Sequence, residues 1–150
     1  MVATPRKITI DASVYLAALN AEGRESDVAR EFFRRVMTEG CEVYLPRLFL
    51  LELIISLRSW IKAGSVYSVL ARQIAHADNI RWLDADRDFT RAACELVDKA
   101  ELRLADAVYA IAAISSGAAL VSLDPQMLAS LSAHCSVSTP DGFFESGESA

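Results

Sequence analysis

Asp106 stands in Leu104-Ala105-Asp106-Ala107-Val108-Tyr109-Ala110-Ile111-Ala112-Ala113-Ile114, a helical, alanine-rich run that is otherwise apolar. An ionised carboxylate on a packed face costs roughly several kcal/mol unless a cation, a metal ion or hydrogen bonds compensate it. The run itself holds no Lys or Arg. The same anomaly recurs along the chain. Glu52 interrupts Leu48-Phe49-Leu50-Leu51 and Leu53-Ile54-Ile55, Asp11 closes Ile8-Thr9-Ile10, and Asp124 follows Ala118-Ala119-Leu120-Val121-Ser122-Leu123. Four carboxylates out of place in apolar surroundings point to one metal site assembled by folding. Hard divalent cations take oxygen ligands, and such a set suits them.

Each acid also has an ordinary reading. Asp11 can cap a helix, Glu52 can turn outward to water, and Asp124, before Pro125, suits a turn or cap. Asp106 is harder to place, because Leu102, Ala110 and Ala113 share its face and its side chain is short. The conjunction carries more weight than any member. Other acidic patterns carry less. Asp84, Asp86, Asp88 and Glu95 match several EF-hand offsets, but Phe89 sits where that loop needs Gly. Asp86-Arg87-Asp88-Phe89-Thr90 spells the D-x-D-x-T of haloacid dehalogenase-like phosphatases without the long buried strand that should precede it. Both read as a solvated helix start. The stripe Trp60, Tyr67, Val69 and Leu70 reads as packing or a protein interface rather than a base-stacking platform.

With 150 residues, 53% of them hydrophobic, the chain fits one domain with a substantial core. The longest apolar stretch, 48–57, is too short to span a membrane and contains Glu52. No signal peptide is read at the N-terminus. Cys41, Cys94 and Cys135 are scattered without C-x-x-C spacing, and His76 and His134 are the only histidines. This usage argues for a reducing cytoplasm and against a Cys/His zinc site. A net charge of -5 disfavours bulk electrostatic binding of nucleic acid. It is compatible with a nuclease whose bound metal offsets the acids locally.

Hydrophobic periodicity predicts strands over 7–11, 42–45, 79–83, 118–123 and 134–137. It predicts helices over 12–19, 25–38, 47–63, 65–77, 86–100, 102–116 and 125–131, with Gly40, Gly64 and Gly117 as stops. Asp11 or Ser13 begins the first helix. Phe89, Ala93, Leu96 and Val97 are expected to face inward. Residues 1–141 form a single domain and 142–150 a flexible tail. Strands alternating with helices imply a central parallel sheet with helices on both faces, an α/β sandwich of three layers. In such sheets sites lie at the carboxyl ends of strands, where Asp11 and Asp124 fall.

The order strand-Asp11-Ala12-Ser13, helix-Leu51-Glu52-Leu53, helix-Leu104-Ala105-Asp106-Ala107, then Leu120-Val121-Ser122-Leu123-Asp124, resembles PIN-domain proteins, especially VapC-like toxin ribonucleases. The stretch Ser138-Thr139-Pro140-Asp141-Gly142-Phe143-Phe144 is similar to a common ending of that family. The resemblance implies a PIN-like three-layer fold and Mg²⁺- or Mn²⁺-dependent cleavage of RNA. It also implies homodimerisation and a small antitoxin partner of the type II kind. Asp11, Glu52, Asp106 and Asp124 would be the acidic metal-binding quartet, with Ser122 in the Ser/Thr position before the last acid. Asp11 and Asp106 are assigned as principal ligands, Glu52 and Asp124 as completing the shell, and Ser122 as a hydrogen-bond donor to Asp11 or a water. Arg47, Arg58, Lys62 and Arg103 are candidates for phosphate contacts. The apolar helices 49–60 and 66–75 are candidates for the dimer surface. Like charges crowded at the site would leave Asp106→Asn as stable as the wild type, or more so. Two alternatives stay open: a catalytically silent PIN-like module that binds RNA or protein, and an aspartate phospho-receiver, which lacks here the adjacent acid pair and the later-strand Lys.

Overall fold

The structure is a computed structural model that describes residues 4–20, 22–60, 74 and 76–146. Its elements run β1 (Lys7–Ile10), α1 (Ala12–Leu19), α2 (Arg24–Thr38), β2 (Glu42–Pro46), α3 (Leu48–Trp60), β3 (Ile80–Leu83), α4 (Arg87–Lys99), α5 (Leu104–Ser116), β4 (Ala119–Val121), α6 (Pro125–Leu131), β5 (Val137–Ser138) and α7 (Pro140–Glu145). Every strand pairing is parallel, in the order β3-β2-β1-β4-β5. Successive strand residues face opposite sides of a sheet. Ile8, Thr9 and Ile10 are all fully buried, so the central strand is covered on both faces, as an all-parallel sheet requires. α5 packs across β1, β2 and β4, while α1 packs against α2 and α3. This is the expected three-layer α/β architecture.

Strand order also sets where a site can form. From β1 the chain builds outward through β2 to β3, then returns to place β4 and β5 on the other side of β1. The reversal leaves a crevice at the carboxyl ends of β1 and β4. Ile10 is in register with Val121, so Asp11 and Ser122 come next on adjacent strands.

Helix ends follow local chemistry. Asp11 caps α1 by accepting the Ser13 N–H. Gly117, at φ +67°, closes α5 in the left-handed conformation that glycine adopts at little cost. Asp86 caps α4 through the Phe89 N–H at 2.8 Å, Asp88 pairs with Arg91 at 2.7 Å, and Asp84 pairs with Arg47. The acidic run 84–88 is therefore a capped helix start, as its ordinary reading held.

Several expectations need correction. The strand expected over 134–137 lies at Val137–Ser138, because the N–H groups of His134 and Cys135 bond the Leu131 carbonyl and extend the end of α6. Val97 is exposed on α4 rather than inward. Residues 142–145 are not a tail. They belong to α7, capped by Thr139 through the Gly142 N–H at 3.2 Å, with Phe143 and Phe144 buried against Phe32 at ring-centroid distances of 6.0 and 5.7 Å. Arg6 lies over the Phe143 ring at 4.2 Å and bonds its carbonyl at 2.8 Å, and Arg35 covers Phe144 at 4.1 Å. The helix expected over 65–77, and with it Lys62, Tyr67, Val69 and Leu70, lies almost wholly outside the described residues. No helix among the described residues is long and apolar enough to cross a membrane.

Candidate active site

Three of the four acids line one cleft of about 380 Å³ at the carboxyl edge of the sheet, Asp11, Glu52 and Asp124, together with Ser13 and Arg103, and Asp106 lies buried under the Arg103 guanidinium. Asp11 leaves the end of β1 and Asp124 the loop after β4, while Glu52 comes from the second turn of α3 and Asp106 from the first turn of α5. At the floor, Asp11 is 3% exposed. One of its carboxylate oxygens accepts the Ser13 N–H and the other the Ser122 hydroxyl. Ser122 Oγ in turn accepts the Asp124 N–H at 2.9 Å, and Ser13 Oγ accepts the Leu123 N–H at 3.1 Å. These bonds stitch the loops after β1 and β4 into one floor. Ser122, wholly buried, is where the sequence reading placed it: a donor to Asp11.

Asp106 is 1% exposed, and its compensation is local. The run 104–114 contains no cation, but Arg103 immediately precedes it. The Arg103 guanidinium grips Asp106 with two prongs, Nε to Oδ2 at 3.0 Å and Nη2 to Oδ1 at 2.8 Å. The same Nη2 also donates to Asp124 Oδ2 at 2.8 Å. Asp124 Oδ1 caps α6 through the N–H groups of Gln126 and Met127 at 2.9 and 3.3 Å. Asp106 Oδ2 further accepts from Ser130 Oγ at 3.4 Å. The expectation that Asp106→Asn leaves metal-free stability unchanged or higher rests on like-charge crowding alone; Arg103 is a counter-charge outside that argument, and Asn cannot accept both prongs of its fork. Arg103 is more than a phosphate candidate: it is bonded to two acids of the quartet. Of the other basic candidates, Arg47 is committed to Asp84, Arg58 is exposed near the end of α3, and Lys62 lies outside the described residues.

Glu52 is half-buried, and Tyr109 donates its phenol proton to Glu52 Oε2 at 2.7 Å. The sequence places Tyr109 in the apolar run around Asp106 and suggests no role for its hydroxyl. Its signal was its spacing: three residues after Asp106, it shares that acid's side of α5. Burial pushes the Glu52 carboxyl up from its ordinary value, with the nearby charges of Asp11 and Asp106 adding to the rise while the Tyr109 bond and Arg103 oppose it. Burial likewise raises Asp11 against the pull of Ser122 and Ser13. Arg103, followed by the backbone bonds at the start of α6, holds Asp124 low. Burial, with Glu52 beside it, keeps the Tyr109 phenol protonated far above its ordinary range. Among the described residues the cleft and the buried Asp106 beside it thus set four carboxylates against the one guanidinium of Arg103, a charge excess that a hard divalent cation would relieve.

Donor chemistry fits such an ion, because the cleft offers carboxylates and hydroxyls and no His or Cys lines it. Among the described residues no three of His, Cys, Asp and Glu stand close enough to hold one ion together. Instead, one Arg103 nitrogen bridges two of the acids, Asp106 and Asp124.

The sequence profile of the PIN domain matches residues 8–131. Among solved structures, the fold is similar to VapC20 of Mycobacterium tuberculosis, a toxin that cleaves the sarcin-ricin loop, at TM-score 0.65 and 21% identity, covering 81% of this chain and 93% of that one. It is similar to VapBC2 of Rickettsia felis bound to a fragment of its promoter DNA, at TM-score 0.67 and 15% identity, covering 89% and 98%. It is also similar to FitAcB of Neisseria gonorrhoeae, at TM-score 0.65 and 17% identity, covering 89% and 97%. None of the curated proteins compared with the sequence matches it.

Proposed function

This chain belongs to the PIN domain family, and from that premise we propose that it is a Mg²⁺- or Mn²⁺-dependent endoribonuclease working in the cytoplasm, the toxin of a type II toxin–antitoxin pair. The observation that carries the reading is that Asp11, Glu52 and Asp124, from three elements, line one cleft together with Arg103, whose guanidinium also grips the buried Asp106 from a fourth. VapC20, similar in fold, is a toxin that cleaves the sarcin-ricin loop, and a toxin–antitoxin complex from Klebsiella pneumoniae is similar at TM-score 0.62 and 13% identity, which supports a small antitoxin as partner and RNA as substrate. A homodimer is part of the proposal, and α3 offers it Leu51 and Ile55, 58% and 70% exposed.

Asp11 and Asp106 would be the principal metal ligands, with Glu52 and Asp124 completing the shell directly or through water. When bound, the metal supplies an activated water and neutralises charge on the scissile phosphate. The chain's own residues prepare that chemistry. Ser122 and Ser13 fix the orientation of Asp11, Tyr109 turns Glu52 toward the cleft, and the α6 N–H groups hold Asp124. Purified protein should cut RNA with Mg²⁺ or Mn²⁺ and stop reversibly in EDTA; cleavage persisting in excess EDTA would reject the metal mechanism. Asp106→Asn should abolish cleavage and lower stability by about 1–3 kcal/mol through loss of the charged acceptor. A variant that keeps full cleavage would remove Asp106 from the site. Specific RNA or protein binding with no cleavage under any metal would favour the silent-module alternative, and an acyl-phosphate on aspartate the receiver alternative.

A further inference from the structure

We propose that Arg103 is a built-in counter-cation that competes with the divalent metal for Asp106 and Asp124. The inference rests on the metal-site reading above and concerns how that site is regulated. Arg103 engages both oxygens of Asp106 and the Oδ2 atom of Asp124, so one guanidinium nitrogen bridges two acids from different elements. The other Asp124 oxygen is committed to the α6 N–H groups. A metal ion drawing ligands from this pair must take the oxygens that the guanidinium now occupies. A guanidinium and a divalent cation repel each other and draw on the same carboxylate oxygens, so each occupancy weakens the other.

The geometry allows the exchange. Arg103 is 45% exposed at the cleft mouth, in the N-cap position of α5 and outside the helix proper, so its side chain can swing out without unpacking the core. The acids it leaves stay fixed by the fold: Asp106 sits in the first turn of α5 and Asp124 caps α6. Without metal, the fork relieves the repulsion among the acids. With metal, the released guanidinium stands at the mouth, ready for an anionic substrate. Binding of metal and of RNA phosphate are thereby coupled through one side chain, as two ligands are coupled through any element that both bias.

Mn²⁺ titration without RNA, read by loss of the free-ion paramagnetic resonance signal, tests this in the wild type, Arg103→Gln and Arg103→Lys, with Arg91→Gln as a surface control. Competition requires Arg103→Gln to bind Mn²⁺ about tenfold more tightly than the wild type, a typical coupling magnitude. Arg103→Lys, which keeps the charge but lacks the fork, should fall between them, and Arg91→Gln should match the wild type. If Arg103→Gln does not fold, the ordering of Arg103→Lys and wild type decides. A second readout needs no variant: the Arg103 Nε–H resonance should be protected from solvent exchange in EDTA and lose that protection as Mg²⁺ is added. Wild type and Arg103 variants binding Mn²⁺ equally, or the variants more weakly, would overturn the inference while leaving the metal site standing. No Mn²⁺ binding by any of the proteins would overturn the metal site and the inference together.

Discussion

A single hydroxyl joins the two loops on which the site depends. Ser122 Oγ donates to Asp11 and accepts from the Asp124 backbone, so it fixes one acid's side chain and the other's main chain at once. Ser122→Ala removes a charge-assisted bond inside a fully buried environment. The expected cost is about 1.5–3 kcal/mol in denaturant melts, with weaker metal binding because Asp11 loses its orientation. Stability and metal affinity both unchanged would mean that the hydroxyl is incidental. At this scale the sequence was informative about acids and poor about their partners, for a physical reason. A carboxylate inside an apolar run is anomalous in itself, so Asp11, Glu52 and Asp106 stood out. Arg103 looks like any surface cation until the turn of α5 brings it over Asp106, and Tyr109 looks like core until its hydroxyl is seen to reach Glu52.

Elements whose signal is local periodicity were the most legible. α1 and α6 occupy the residues expected, and the ends of α5 and α2 fall at Gly117 and Gly40 as left-handed stops. α7 was missed because its composition is that of a tail, with Asp141, Gly142 and Glu145 around two aromatic residues. What makes it a helix is distant in sequence: Phe32 and Arg35 on α2, and Arg6 before β1, receive Phe143 and Phe144. Phe144→Ala should therefore cost about 3–5 kcal/mol, the range for truncating a buried aromatic residue, as measured by urea unfolding. A loss within a few tenths of a kcal/mol, roughly the scatter of a surface substitution, would mean that α7 is not docked. The strands' short lengths were the least legible feature, since β4 and β5 are defined by pairing with neighbours rather than by their own residues.

At the scale of the whole molecule, the acids make stability depend on pH in a direction set by burial. Asp11 and Glu52 lie above their ordinary values of 3.8 and 4.5, so the folded chain holds protons that the unfolded chain has released. In chelator, their contribution is fully present below those ordinary values and is lost as pH rises through the raised ones. Asp124 works oppositely: held low, it stabilises above 3.8 and that contribution is lost as pH falls below it. Chelated protein is accordingly expected to be more stable just above the ordinary Glu value of 4.5 than at neutral pH. Saturating Mg²⁺ should reverse the order, because protons and metal compete for the same oxygens, and should add about 2.7 kcal/mol at one hundred times its dissociation constant. Denaturant melts at both pH values, with and without Mg²⁺, check this. Identical pH profiles in the two series would detach the acids from any metal.

The seam between β1 and β4 also has a consequence in time. Asp11 is synthesised before its partner Ser122, which lies 111 residues later. A chain still growing on the ribosome lacks β4, and so lacks both the floor of the cleft and its fourth acid. For the proposed nuclease, cleavage is therefore not expected before β4 emerges. The long sequence separation then acts as a delay in assembling the site.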